Sequence, residues 1–260
     1  MMVSNPAGVI VERQGPVLLL VINREHRRNA LDAATSAAID AQIGAAESDP
    51  SVGAVVITGN GERAFCSGMD MKEAAEIGIG HGLVPGNGFA GITERNRTKP
   101  LIAAINGFAV AGGFEIALAC DIVIAADHAM FGLSEVKRGM FAFAGGIQRL
   151  AQQVPRSTAL SLILTGEPVS AQRLYDLGVV SEVVPVAQLR DRALTLAHAM
   201  LEHSWEAIRN GKLLYEMAAH MPIEQSMRLG GAFGRATLNS ADSVSGVAAY
   251  AQGTTKAKES

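Results

Sequence analysis

The chain has 260 residues, 48% of them apolar and 18% charged, with a formal net charge of −3. That length supports one large core or a core with an appendage, and mild acidity with scattered Lys and Arg argues against nucleic acid as the main partner. Two cysteines, Cys66 and Cys120, make neither a disulfide framework nor a metal-ligand pattern, so no metal site is expected.

The opening Met-Met-Val-Ser-Asn-Pro-Ala-Gly carries neither a secretory nor a transit pattern. Apolar runs break before the ~20 residues of a membrane span, so a cytoplasmic protein with no membrane partner is expected. Val17–Ile22 and Ala54–Thr58 read as strands ended by Asn, Gly or charge. Between them Asp32 can cap a helix running to about Ala46. Leu101–Ile105 and Ile122–Ala125 are further strands, the first ended by Asn106-Gly107. From Gly146 the pattern turns helical, with helices expected to start near Gly146, Ser157, Ser170, Ala187, Ser204 and Pro222. Gly178 stops the helix from Ser170, and Val179–Val184 reads as a late strand. Strands alternating with helices, then helices alone, predict an α/β core with a helical C-terminal part.

Two patterns test this outline. Phe108-Ala-Val-Ala-Gly-Gly113 recurs as Phe141-Ala-Phe-Ala-Gly-Gly146, each before a predicted helix, as stacked strand–strand–helix units would require. Gly86-Asn-Gly-Phe-Ala-Gly91 matches a dinucleotide fingerprint, but no strand leads into it, and the stretch reads as a glycine-rich loop.

The chemistry concentrates in Pro100–Cys120, a run of twenty-one residues with one charged side chain, Glu115, just after Gly112-Gly113. Burying a carboxylate needs partners or a raised pKa. A glycine pair opening a helix also leaves N–H groups free for an oxygen anion. Two readings stay open at this point: Glu115 caps its own helix, or it is a catalytic acid.

Upstream stands Ala64-Phe-Cys-Ser-Gly-Met-Asp-Met-Lys-Glu73, and downstream Phe131-Gly-Leu-Ser-Glu-Val-Lys-Arg-Gly139 leading to Ala-Gly-Gly-Ile-Gln-Arg-Leu150. With Asn29-Ala-Leu-Asp32 and Ile105–Glu115, these segments resemble the enoyl-CoA hydratase/isomerase (crotonase) family, in order, from about Val9 to Tyr250. The resemblance implies a crotonase-like α/β spiral of strand–strand–helix units over 1–195, holding the acyl-CoA site. It implies a helical C-terminal trimerisation region over 196–260, and a homotrimer or a hexamer built as a dimer of trimers.

The same resemblance implies roles. The backbone N–H groups of Met69 and Gly112 would form the oxyanion hole, which stabilises the enolate made when an acyl thioester is attacked or deprotonated. Glu115 would activate water and Glu135 would protonate Cα. A pair of acids favours an enoyl-CoA hydratase, a hydro-lyase, over an isomerase that needs one. The alternatives are an enoyl-CoA isomerase, a carnitinyl-CoA dehydratase-like enzyme and a thioester hydrolase. Outside enzymes, a silent scaffold or an RNA binder is disfavoured by retention of both acids and by the absence of a lysine-rich helix.

No cofactor is expected, because coenzyme A enters as part of the thioester substrate. Its phosphates would meet Arg24, Arg27, Arg28 and Lys72, and the thioester arm would pass Ser67, Asp70 and Met71. Two departures stand out. Ala142-Phe143 replaces the family's Pro-Gly near the water and acyl chain, so Phe143 is expected to reshape the acyl tunnel if it points inward. Tyr250 supplies the family's C-terminal aromatic, but the basic residue after it is missing unless Lys256 substitutes.

Overall fold

The computed structural model describes residues 3–4 and 7–252. The chain divides into two compact units, 1–198 and 199–260. Among the described residues no helix is long and apolar enough to cross a membrane.

In the first unit, Val17–Ile22, Ala54–Gly59 and Leu101–Ile105 are buried at every position. Continuous burial is what parallel strands covered on both faces require. They pair in parallel in that order, Leu101–Ile105 pairs in turn with Ile122–Ala126, and Ile122–Ala126 with Glu182–Val184. Val9–Gln14 adds an antiparallel strand on the other side of Val17–Ile22, and the seven-stranded sheet ends at Val3–Ser4. A second, four-stranded sheet places Ala64–Cys66, Phe108–Val110 and Met130–Gly132 side by side in parallel, with Val169–Ser170 antiparallel at its edge.

The chain order explains both sheets at once. Ala54–Gly59, Ala64–Cys66 and the helix Met71–Ile77 form one strand–strand–helix unit. Leu101–Ile105, Phe108–Val110 and the helix Gly112–Ala119 form the next. Ile122–Ala126, Met130–Gly132 and, after the 3-10 turn Ser134–Arg138, the helix Gly146–Gln153 form a third. Each unit adds one strand to each sheet, which is the expected spiral. The hexapeptide echo is a different matter. Phe108–Val110 is a strand, whereas 141–145 is coil and turn. The shared part is only a Gly-Gly step into a helix, and the two copies are not equivalent strands.

Two buried amides stitch the unit boundaries. Asn106 Nδ2 donates to Gly61 O at 2.7 Å and Ala64 O at 3.1 Å, and its Oδ1 accepts from Gly59 N at 2.9 Å. Asn29 Nδ2 reaches the same Ala64 carbonyl at 2.6 Å. Both therefore anchor the start of Ala64–Cys66, the strand that delivers the chain to the site. Gly113 is needed for close approach, since a methyl there would fall 2.0 Å from Cys66 O.

Most expected helices are present, with their caps. Asp32 Oδ1 accepts from Thr35 N at 2.7 Å to open Ala33–Ser48, and Ser170, Ser204 and Pro222 stand at N-caps. The late strand is shorter than expected. Val179 and Val180 donate to Leu174 O, closing the end of the helix Ala171–Asp176, so only Glu182–Val184 is extended. In the second unit the helices Trp205–Ala218 and Ile223–Leu238 pack together, with Asn210 Nδ2 donating to Thr237 Oγ1 at 2.9 Å. The sequence reading missed a last helix, Ala241–Ala251.

Candidate active site

A cavity of about 350 Å³ opens at the ends of the second sheet's strands. Its wall includes Arg27, Arg28, Ser67, Met69, Asp70, Met71, Lys72, Gly112, Glu115, Glu135 and Phe143. All but one of the expected site residues are thus brought together.

The exception is Arg24. Its Nη1 donates to Ala30 O at 2.7 Å, and its Nη2 lies 2.9 Å from Asp32 and 3.1 Å from Asp70. With its side chain 12% exposed, Arg24 braces the turn and is not a cavity-lining cation. The spacing of three arginines before Asn29 could not separate the bracing one from the two that face the cavity. Asp70, in turn, caps Met71–Ile77 by accepting from Lys72 N at 3.0 Å. Burial opposes its ionisation, but the Lys72 N–H and Arg24 win and hold its carboxyl below the usual range. Asp70 joins the helix that follows the Ser67–Met69 turn to Arg24.

That turn is built to leave one N–H free. Leu31 N donates to Gly68 O at 2.8 Å and Asp70 N donates to Leu31 O at 2.8 Å. In extended backbone, alternate N–H groups point to opposite sides, so the Met69 N–H faces away from Leu31. Opposite it, the helix Gly112–Ala119 begins after Ala111, whose φ of 52° and ψ of −130° are unusual for a residue with a side chain. This dihedral pair orients the Ala111–Gly112 peptide, and the first N–H of a helix has no partner within it. Among the described residues neither the Met69 nor the Gly112 N–H makes a turn, loop or cap bond. The two turns are in contact, since a methyl on Gly68 would lie 3.1 Å from Gly112 N.

Glu115, one turn into the same helix, is 4% exposed. Its Oε1 accepts from Gly146 N at 3.0 Å. Burial pushes its pKa up from 4.5 to about 7, against the backbone donors Gly146 and Ala144 and with help from the charge of Glu135. Glu135 sits on the 3-10 turn Ser134–Arg138 and is 9% exposed, and its Oε2 is buried with no protein hydrogen-bond partner. Burial raises its pKa as well. Two carboxyls with raised proton affinity therefore share one cavity with two free N–H groups. Such a set can exchange protons near neutral pH beside a developing oxyanion.

Part of the remaining wall comes from the glycine-rich stretch Ala75–Thr93, which the sequence suggests as a cover for the acyl end without singling out its residues. Ile79, Leu83, Phe89, Met140 and Phe141 make it apolar, and Arg138 adds a cation beside Glu135. Phe143 lines the cavity, edge-on to Phe141 at 6.0 Å between centroids. Arg63 lines an adjoining cavity that shares Arg28 and Ser67. These residues come from short strands, turns and loops whose sequence has no periodicity, and only the fold shows that they converge. Tyr250 belongs to the second unit and is 80% exposed, while Lys256 lies outside the described residues.

Comparison with known proteins agrees with this geometry. The enoyl-CoA hydratase/isomerase family profile matches residues 12–257. A carnitinyl-CoA dehydratase of Salmonella enteritidis PT4 is 38% identical over 217 residues, 83% of each chain. An enoyl-CoA hydratase of Mycobacterium tuberculosis H37Rv superposes with a TM-score of 0.90 at 34% identity, over 95% of this chain and 96% of that one. A carnitinyl-CoA hydratase of Mycobacterium avium superposes at 0.79 with 39% identity and the same coverage.

Proposed function

The chain belongs to the enoyl-CoA hydratase/isomerase family, and from that premise we propose that it adds water across the 2,3 double bond of a 2-enoyl-CoA and runs the reverse dehydration. The observation that carries this reading is the pair Glu115 and Glu135, both buried and both raised in proton affinity, in the cavity that holds the two free N–H groups.

In this reading Glu115, as carboxylate, takes a proton from water while the hydroxyl oxygen bonds to C3. The double-bond electrons move onto the thioester oxygen, where the Met69 and Gly112 N–H groups hold the enolate. Glu135, as the acid, then delivers its proton to C2. Each proton transfer is worth ~10²–10⁴ in rate, and each oxyanion donor ~10²–10³. Coenzyme A arrives as part of the substrate, its phosphates facing Arg27, Arg28 and Lys72. Assembly as a homotrimer or a dimer of trimers completes the reading.

One other substrate has an observation behind it, the identity to carnitinyl-CoA dehydratase. The chemistry would be the same, on an acyl group ending in a quaternary ammonium. The rings of Phe89, Phe141 and Phe143 suit such a cation, whereas Arg138 on the same wall repels it. Isomerase or hydrolase chemistry leaves one of the two acids without a task.

The test is a panel of short, long, branched, aromatic and trimethylammonium-bearing enoyl-CoA esters, followed by loss of the conjugated thioester absorbance. Glu115→Gln and Glu135→Gln should each lower kcat at least roughly a hundredfold in folded protein, and the double variant should be little worse than either single one. Near-normal turnover by Glu115→Gln would sink the hydratase reading.

A further inference from the structure

Arg149 lies in the Ala-Gly-Gly-Ile-Gln-Arg-Leu150 segment with no role assigned to it, yet it packs against the glycine turn that holds Glu115. It lies on the helix Gly146–Gln153, one turn beyond the residue whose N–H donates to Glu115. Its Nη2 donates to Thr93 O at 2.6 Å. Its Nη1 lies flat against Gly145, where a methyl would fall 1.9 Å away, and Gly145 has a φ of +99° that L side chains rarely adopt. Thr93 in turn supports Phe89, a residue of the cavity wall. Its Oγ1 accepts from Phe89 N at 2.8 Å, and the Phe89 ring closes on Gly112, 2.5 Å from where a methyl would sit.

We infer that Arg149 is a positioning residue for the reaction: it clamps the Gly145–Gly146 turn that grips Glu115, ties that turn to the Phe89–Gly112 wall, and sets a positive charge behind the carboxylate. The inference rests on the reading of Glu115 as the base. Arg149 is drawn below the usual arginine range by burial and by the neighbouring Arg97, with Glu115, Cys120 and Glu94 pulling the other way. Arg97 spends its own guanidinium on the carbonyls of Ile92 and Ala119. On the opposite side Glu115 faces Glu135, which Arg138 attends from its own turn. Arg149 is thus the cation acting on Glu115 within a set of charges that otherwise disfavour its ionisation.

The experiment follows the Glu115 carboxyl directly, by carbon-13 NMR of protein made with carboxyl-labelled glutamate, the signal being assigned by its loss in Glu115→Gln. Arg149→Gln should raise the titration midpoint and move the acid limb of the kcat/KM profile up with it. Arg149→Lys keeps the charge but cannot span Thr93 and Gly145, so its midpoint should stay while kcat falls about tenfold. The lysine variant suffices alone if the glutamine variant does not fold. An unshifted midpoint in folded Arg149→Gln, or wild-type kcat in Arg149→Lys, overturns the inference. A shifted NMR midpoint with an unaffected pH profile would instead count against Glu115 as the base, so the two failures are distinguishable.

Discussion

A carboxyl sealed from water is stable only with its proton on or with donors around it, and Glu115 is poised between the two. Its pKa lies near 7 when folded, against 4.5 for an ordinary glutamate. The folded state therefore binds the proton more tightly than the unfolded chain, and this contribution is fully present below pH 4.5 and lost as pH rises through 7. Glu115→Gln removes the titration. Its stability relative to the wild type should improve as pH rises across that window, by roughly 3 kcal/mol at most. Thermal melts of both proteins at pH 5 and pH 8 measure this, and a pH-independent difference would contradict it. Phe143 is the second residue to watch. It faces the cavity and meets Phe141 edge-on, where glycine would leave open space. Straight-chain enoyl-CoA should therefore turn over slowly, and Phe143→Gly should raise kcat/KM for crotonyl-CoA several-fold. Fast wild-type hydration of crotonyl-CoA, unchanged in that variant, would mean the ring does not restrict the acyl chain.

At the scale of elements, the turns carry the function and the strands carry the turns. Asn106 ends one strand and, with Asn29, pins the beginning of the next at Ala64. Asn106→Ala would strand the buried Gly59 N–H and release the exposed Gly61 turn. The expected cost is roughly 2–4 kcal/mol, against ~1 kcal/mol for removing the Asp32 cap, and denaturant melts of the two variants rank them. Catalysis should suffer in the first and not in the second, because only Asn106 supports the strand leading to Met69. Capped helices and continuous apolar strands such as Leu101–Ile105 were legible, since their signal is local. Ala64–Cys66, Phe108–Val110 and Met130–Gly132 were not, being three residues long and specified by pairing with one another. The site followed the same division. Glu115 stood out as a lone charge in an apolar run, and the resemblance located Glu135 and the oxyanion turns. Arg24, Arg149 and the aromatic wall differ from ordinary surface residues only through contacts distant in sequence.

For the whole molecule, burial is uneven. Among the described residues the large, fully buried side chains, Leu19, Phe65, Phe131 and Leu174 among them, lie in the first unit. The helices of the second unit bury few residues, Asn210 and Ser226 among them, and leave Tyr215, Ile223, Met227, Leu238, Val244, Val247 and Tyr250 exposed. A monomer rarely leaves so many large apolar side chains in water on one short segment. Three helices with so little internal burial also lack a core of their own, so the missing apolar contact is expected from other copies of the chain. In a closed ring each copy presents the same two complementary patches, one to each neighbour, and a stable assembly needs roughly 800 Å² per partner. The expected state is a trimer or hexamer whose contacts cover part of Ala187–Leu238. Replacing Ile223 and Met227 together by Lys puts two cations on Ile223–Leu238, and should shift light-scattering mass toward the monomer. A wild-type monomer at micromolar concentration would overturn the assembly outright. An oligomer indifferent to the double lysine change would move its interface elsewhere on the chain.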